Sequence, residues 1–235
     1  MKYKSRAIPL TYIKQGDSSI ISKIFTEEKG LQTFIVKGVR SKNSKKRLSY
    51  FEPLKLLNIN ANFNAKKSLQ HLGDVAISVN FEVKTNKMHK NFIGFFIAEV
   101  SSKVLQENEQ SPVLFNFIWN TTSELYGSKK VDPNFAIKYL LNLSGFLGFY
   151  PSTAKINKPF FNLESGEFSN KQSALKMCLD KEKSNYLKTL LNNEEALIPQ
   201  EKKSELLKEL LLFYRLHHYN LDSITSHLVI KTLRK

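Results

Sequence analysis

Along the first 80 residues, short β-branched and apolar runs alternate with turn signals; beyond Thr85 the apolar positions change period. Five segments read as strands: Tyr3 to Ile13, Ser18 to Thr26, Leu31 to Val39, Pro53 to Ala61 and Ser68 to Val79. Gln15-Gly16-Asp17 separates the first two, Glu28-Lys29-Gly30 the second and third, and a polar loop precedes the fourth. Five short strands in so little chain suit a closed barrel, because closure removes edges that would otherwise pair with other chains. Pro9, inside the first strand, lacks an N–H and must face an edge or a bulge.

From Phe92 the spacing is helical. Phe92, Ile93, Phe96, Ile97, Val100 and Val104 form one apolar face of a helix ending near Gln106. A second helix is expected over Val113 to Tyr126, with Leu114, Phe117, Ile118 and Trp119, and Gly127 stops it. For the third, Asp132 fits the N-cap, Pro133 the first helical position and Gly148 the stop. Residues 150–170, with Pro151, Pro159 and Ser165-Gly166, read as a loop or short hairpin. Helical spacing resumes over Lys171 to Asp180, Ser184 to Asn192, Lys203 to Tyr219 and Ser223 to Leu233. The expected class is α+β: a five-stranded barrel over 1–80 and a mainly helical domain over 81–235.

Charge changes the picture. The 235 residues carry a net +15. Residues 1–80 hold fifteen Lys and Arg against five Asp and Glu, so two-thirds of the excess sits in the first third. That asymmetry points to a polyanion-binding N-terminal module. Its centre is the stretch Lys37 to Tyr50, with Lys37, Arg40, Lys42, Lys45, Lys46 and Arg47 and no acid before Glu52. A loop of this kind neutralises several phosphates, and counterion release drives binding without regard to base sequence. A solvated linker is the other reading of such a run. A small five-stranded barrel with a basic loop suggests an oligonucleotide-binding (OB) fold. Tyr50, Phe34 and Phe51 lie beside the cations and offer rings for base stacking, although strand aromatics more often fill a barrel. A membrane is the other common polyanion. The chain has no apolar run of about 18 residues, no lipidation signal, and a basic start without the apolar segment of a signal peptide. A cytoplasmic protein is expected.

Catalytic chemistry finds little footing. Cys178 is the only cysteine, so neither an intrachain disulfide nor a Cys-based zinc site can be built. His71, His89, His217, His218 and His227 show no zincin-type spacing, and no GxxxxGK[ST] or GxGxxG run is present. Gly145 and Gly148 lie in an apolar run that fits helix packing and termination. No active site is expected.

Several motifs carry a resemblance. Tyr12-Ile13-Lys14-Gln15-Gly16-Asp17-Ser18-Ser19-Ile20-Ile21, Thr26-Glu27-Glu28-Lys29-Gly30, Val36-Lys37-Gly38-Val39-Arg40-Ser41-Lys42 and Phe51-Glu52-Pro53-Leu54 resemble the N-terminal domain of the bacterial RecO family. Leu143-Ser144-Gly145-Phe146-Leu147-Gly148-Phe149-Tyr150-Pro151 is similar to that family's helix end before its linker, and Tyr214-Arg215-Leu216-His217-His218-Tyr219 to its C-terminal helix. The motifs span essentially the whole chain in the family's order. The resemblance implies an N-terminal OB domain, a helical C-terminal domain and a recombination mediator of the RecF pathway. Such proteins bind single- and double-stranded DNA and anneal complementary strands without ATP. They work with RecR, engage the acidic tail of single-stranded-DNA-binding protein and help to load RecA. The basic loop matches the family's DNA-contacting face, so its six cations are the expected phosphate contacts.

Two departures stand out. Many relatives carry a four-cysteine zinc module where Phe160-Phe161-Asn162-Leu163-Glu164-Ser165-Gly166-Glu167-Phe168 looks like the remnant of its hairpin, and no cysteine stands in that run. The expectation is a zinc-free version held by Phe160, Phe161 and Phe168, with no cofactor. The other departure is Pro9, where an aliphatic residue is more usual. For annealing, the loop would hold one strand and cations such as Lys129 and Lys130, or Lys231, Arg234 and Lys235, the second. The alternative function is a protein-interaction adaptor binding an acidic partner tail, with Lys129, Lys130 and Lys138 near the pocket and DNA contact secondary.

Overall fold

The computed structural model describes residues 1–41, 47–81, 87–170 and 177–226. The chain divides into two compact units, Met1–Lys130 and Val131–Lys235. In the first, β1 (Lys2–Gln15), β2 (Ser19–Thr26), β3 (Gly30–Val36), β4 (Leu56–Asn62) and β5 (Leu69–Val79) close into a barrel in the order β1-β2-β3-β5-β4. All neighbours are antiparallel except β3 and β5, which run parallel from Thr33↔Leu69 to Ile35↔His71. The tight reversals fall at Gly16 and Gly30, at φ of +56° and +65°, where a side chain would be strained. Pro9 sits where the β1–β2 register shifts, so its missing N–H falls at a bulge. Ala7, Ile20, Ile24, Phe34, Val36, Phe51, Leu57 and Ile59 fill the interior.

The barrel strands end where the sequence places them, near residue 80, but the compact unit runs on to Lys130. Helices α1 (Lys87–Val104) and α2 (Pro112–Gly127) belong to it. The physical cause lies on the strands: Phe25 and Leu31 are 1% exposed, and Phe115 of α2 lies 5.4 Å from the Phe25 ring. Ser111 caps α2, accepting from the Leu114 N–H with Pro112 at the first position. Its other end is closed by the buried Lys90 of α1, whose ammonium donates to the Tyr126 and Ser128 carbonyls. The connection between the helices runs beside β3: Glu107 bridges to Leu31, and the Asn108 N–H donates to the Leu31 carbonyl at 3.1 Å.

The second unit holds α3 (Phe135–Phe146), β6 (Phe160–Asn162), β7 (Glu167–Ser169), α4 (Lys181–Leu191) and α5 (Gln200–Leu216). Helix α3 starts later than its sequence signal. Asp132 and Pro133 form a turn, in which Asp132 accepts from the Asn134 N–H at 2.7 Å, and Asn134 is the N-cap. The expected helix over Lys171 to Asp180 is not one where it is described. Met177–Leu179 lies extended against the hairpin, with Leu163 N–H donating to Met177 and Leu179 N–H to Phe161 at 2.7 and 2.8 Å. Cys178 thus sits on an added strand, and Asp180 caps α4 through the Lys183 N–H. Residues 171–176 of that expected helix, and 227–233 of the expected last one, lie outside the described residues.

Candidate nucleic-acid interface

The basic loop leaves the barrel on a fixed footing. Past Val36, Gly38 at φ +69° turns the chain, and the Ser41 N–H and hydroxyl both donate to the Gly38 carbonyl at 3.1 and 2.8 Å. Val39 plugs into the barrel core at 3% exposure. The Arg40 N–H donates to the Ser18 carbonyl at 2.9 Å. Its Nη1 donates to the Gly16 carbonyl at 2.8 Å. The loop returns through exposed Arg47 into a 3₁₀ turn, Leu48–Phe51, whose Phe51 is fully buried. Two apolar plugs, Val39 and Phe51, therefore hold the two feet while Lys37 and Arg47 stay exposed and Arg40 half-buried. Lys42, Lys45 and Lys46 lie outside the described residues.

The aromatic candidates part company. Phe34 is 0% exposed in the barrel core, so its ring has no face for a base: it fills the barrel instead. Tyr50 is half-buried against the same core, with part of its surface open.

Cations elsewhere differ in what they touch. Lys129 and Lys130 are exposed. Lys138 is engaged, its ammonium 2.6 Å from Asp132. Burial pushes the Asp132 carboxyl up, but hydrogen bonds from Lys138 and the Asn134 N–H, with the charges of Lys138 and Lys203, outweigh it and leave the group below the usual range. Arg6 on β1 is engaged inside the first unit. Its Nε and Nη2 donate to the two Glu27 oxygens at 2.8 and 2.6 Å. Nη2 also reaches Asn116 at 2.7 Å, and the guanidinium lies over Phe115 and Trp119. The Arg6 hydrogen bond holds the Glu27 carboxyl below the ordinary carboxylate range. An open groove of about 470 Å³ beside this pair is lined by Lys4, Asn58, Asn60 and Asp74. The shifted acid there is an ion-pair partner, not a raised proton donor.

In the second unit the hairpin is built on rings. Phe161 and Phe168 are fully buried with centroids 5.0 Å apart. Phe213 lies 5.7 Å from Phe161, and the Lys188 ammonium sits over Phe168. Phe160 is half-buried and pairs with Ser169. Asn162 closes the turn by accepting from the Glu164 and Ser165 N–H groups. These residues do not offer the four Cys or His donors a structural zinc needs. Among the described residues no three His, Cys, Asp or Glu side chains converge as a metal-binding group. The two distant motifs of this unit interlock. Phe149 stacks on His217 at 4.8 Å and 12°, and on Tyr219 at 5.5 Å. The Tyr214 hydroxyl donates to the Leu140 carbonyl at 2.7 Å. His217 is thus an inward ring whose Nδ1 meets the Phe213 carbonyl, whereas His218 is exposed at φ +72°.

No helix among the described residues is long and apolar enough to cross a membrane. Reasoning from sequence missed one outward-facing row of the barrel, exposed Ile13 with half-buried Ile21 and Ile35. The signal was available: the turn at Gly16 sets Gln15 opposite Ser19, and counting back puts Ile13 opposite Ile21.

Comparison with known proteins places both units. The family described as Recombination protein O N terminal matches residues 1–81, and Recombination protein O C terminal matches residues 86–222. A DNA repair protein RecO of Flavobacterium johnsoniae is 28% identical over 222 residues, 92% of each chain. That of Christiangramia forsetii is 30% identical over 223 residues, again 92% of each. One from Flavobacterium psychrophilum is 29% identical over 241 residues, 100% of this chain and 99% of its own. With matched segments covering barrel, helices and hairpin alike, the chain belongs to the RecO family.

Proposed function

We propose that this protein serves DNA repair and recombination by binding DNA strands and bringing complementary ones together, without a catalytic step of its own. The observation that carries this reading is the basic loop of the barrel: Lys37, Arg40 and Arg47 stand on two apolar plugs at one place on an OB-like barrel, in a chain whose relatives are named for DNA repair. Lys42, Lys45 and Lys46 complete the proposed phosphate contacts, with Tyr50 as the base-stacking candidate. Two complementary strands repel each other, and a surface of net +15 screens that repulsion while raising their local concentration. Base pairing then does the recognition, so annealing needs no ATP. Single- and double-stranded DNA both serve as ligands through their phosphates. In this reading the protein assists RecA loading onto strands coated by single-stranded-DNA-binding protein, meets that protein's acidic tail and RecR, and works at the nucleoid. The aromatic hairpin replaces a zinc module, so no metal or other cofactor is required.

The test is annealing of complementary oligonucleotides, with single-strand affinity followed against salt, for the wild type and for Lys42, Lys45, Lys46 and Arg47 changed together to Glu. Loss of annealing and of much of the salt slope supports the reading. A folded variant that binds and anneals like the wild type removes the loop from the mechanism. Tight capture of an acidic peptide with DNA bound only at very low salt would favour an adaptor instead.

A further inference from the structure

We propose that Lys90, buried in α1, is a positioning residue for strand annealing: it fixes the end of α2 so that exposed Lys129 and Lys130 hold the phosphates of the second strand. This rests on the reading of the protein as an annealing factor whose basic loop holds the first strand.

The last carbonyls of a helix have no partner within it and carry the negative end of its dipole, so they repel a phosphate. Lys129 and Lys130 stand at such an end, just past Ser128, the C-cap of α2. Lys90 counters the repulsion. It is 2% exposed, and its ammonium donates to the Tyr126 carbonyl at 3.2 Å and to the Ser128 carbonyl at 2.5 Å. Among the described residues it meets carbonyls and no carboxylate, so its charge adds to those of the two exposed lysines. Burying an ammonium costs desolvation, and glycine, side-chain caps or water close most helix ends without one. A role in placing the two exposed cations accounts for it.

The turn they leave from is held on several sides. The Ser128 N–H and hydroxyl both donate to the Glu124 carbonyl, at 3.0 and 2.7 Å. Phe81 stacks on Tyr126 with ring centroids 6.0 Å apart. Tyr126 in turn lies over α1 at Gly94, where a Cβ would overlap its hydroxyl and come within 3.6 Å of Leu54. Leu54 follows Phe51, the plug under the returning foot of the basic loop, by three residues. Through this contact the end of α2 and the foot of the loop are close neighbours in the first unit, so two strands held there would meet at high local concentration. Exposed Lys87, one turn before Lys90, adds a further cation. The acids nearby in sequence are exposed Glu124 and Asp132, and Asp132 is engaged by Lys138.

Annealing rates and single-strand affinities of the full-length protein are measured for the wild type, Lys129→Ala with Lys130→Ala, Lys90→Met, the three changes together, and a chain with two glycines inserted after Ser128. The double variant is expected to anneal about three- to tenfold more slowly, while its single-strand affinity, set by the loop, stays within about twofold. Folded Lys90→Met should show the same split. Added to the double variant, it should slow annealing by less than about twofold more, because it acts through the cations it places. The glycine insertion keeps every charge and the cap but loosens the placement, so it should slow annealing like the double variant; it carries the test if Lys90→Met does not fold. The inference is overturned if the double variant, the insertion or a folded Lys90→Met anneals like the wild type. It is overturned as well if the losses of Lys90→Met and the double variant multiply, or if affinity and annealing fall equally; in each case the loop reading stands. A wild type that does not anneal removes the proposed function and this inference with it.

Discussion

Arg40 reaches back across the barrel end to the Gly16 carbonyl, 2.8 Å from its Nη1, and so fastens the loop after β3 to the turn between β1 and β2. The same side chain is a proposed phosphate contact, and it has donors to spare, since a guanidinium carries five N–H groups. Arg40→Ala should therefore cost more single-strand affinity than Lys37→Ala, which removes only a charge. Each should lower the salt slope by roughly 0.7, one phosphate's worth for single strands. Arg40→Lys should fall between the wild type and Arg40→Ala, keeping the charge without the planar fork. Titrations over a salt series separate the three.

Arg6 is the corresponding tie on the other side of the first unit. It joins β1 to Glu27 and Asn116 and lies 4.9 Å from the centre of the Trp119 ring. Arg6→Leu keeps some packing but leaves Glu27 and Asn116 without their donor, and is expected to cost about 2 kcal/mol in urea denaturation. Oligonucleotide binding by the folded variant should stay near wild type, because three of this guanidinium's N–H groups and its charge are engaged by Glu27 and Asn116.

The Glu27 carboxyl is held low by its hydrogen bond to Arg6. A carboxylate with a depressed folded pKa contributes stability in full above its unfolded value, about 4.3, and loses it as pH falls through the folded value. Glu27→Gln should flatten the acid side of the stability profile, and adding Asp132→Asn, whose carboxyl is also lowered, should flatten it further. Thermal melts between neutral and acid pH read this out.

Two glycines with similar backbones should respond differently to alanine. Gly16 at φ +56° faces open space, so Gly16→Ala should cost about 1 kcal/mol of left-handed strain. At Gly30, φ +65°, a Cβ would overlap the Glu109 carbonyl, and that backbone cannot swing aside like a side-chain end. Gly30→Ala should cost well beyond that, about 3 kcal/mol or more, by chemical denaturation.

These contrasts show what could be read from the chain and what could not. The five strands were legible because Gly16 and Gly30 punctuate them and their β-branched content is high. The loop's cations were legible as charge. Phe34 was not assignable, because an aromatic in a strand that leads into a basic loop reads alike whether it points in or out; the register opposite Ser22 puts it inside. Met177–Leu179 misled because a short apolar run does not distinguish a buried helix from a strand. Its partner, the Phe161–Leu163 edge, lies far enough back in sequence to leave no local trace. The α3 cap slipped for a subtler reason: Asp132 does accept a backbone N–H two residues on, but in a turn that precedes the helix. The outward isoleucines escaped notice because apolar residues in strands are assumed to be core.

In the second unit the fully buried Phe161 joins Phe168 and Phe213. Phe161→Ala should cost about 3–5 kcal/mol. A chelator should leave the wild-type melting temperature unchanged, whereas a metal-held hairpin would lose stability. Paired melts with and without chelator decide between aromatic and metal support.

The strand of backbone that Glu107 and Asn108 lay beside Leu31 bears on how the protein is made. A ribosome that has released the first 81 residues has delivered every strand of the barrel, yet not the piece that finishes the outer side of β3. Until α1 and the segment behind it emerge, Leu31 keeps its carbonyl without the Asn108 N–H and Phe25 lacks the ring of Phe115. The flank of the barrel beside β3 is therefore completed only by contacts more than 70 residues apart, as between Gln32 and Asn108 at a separation of 76.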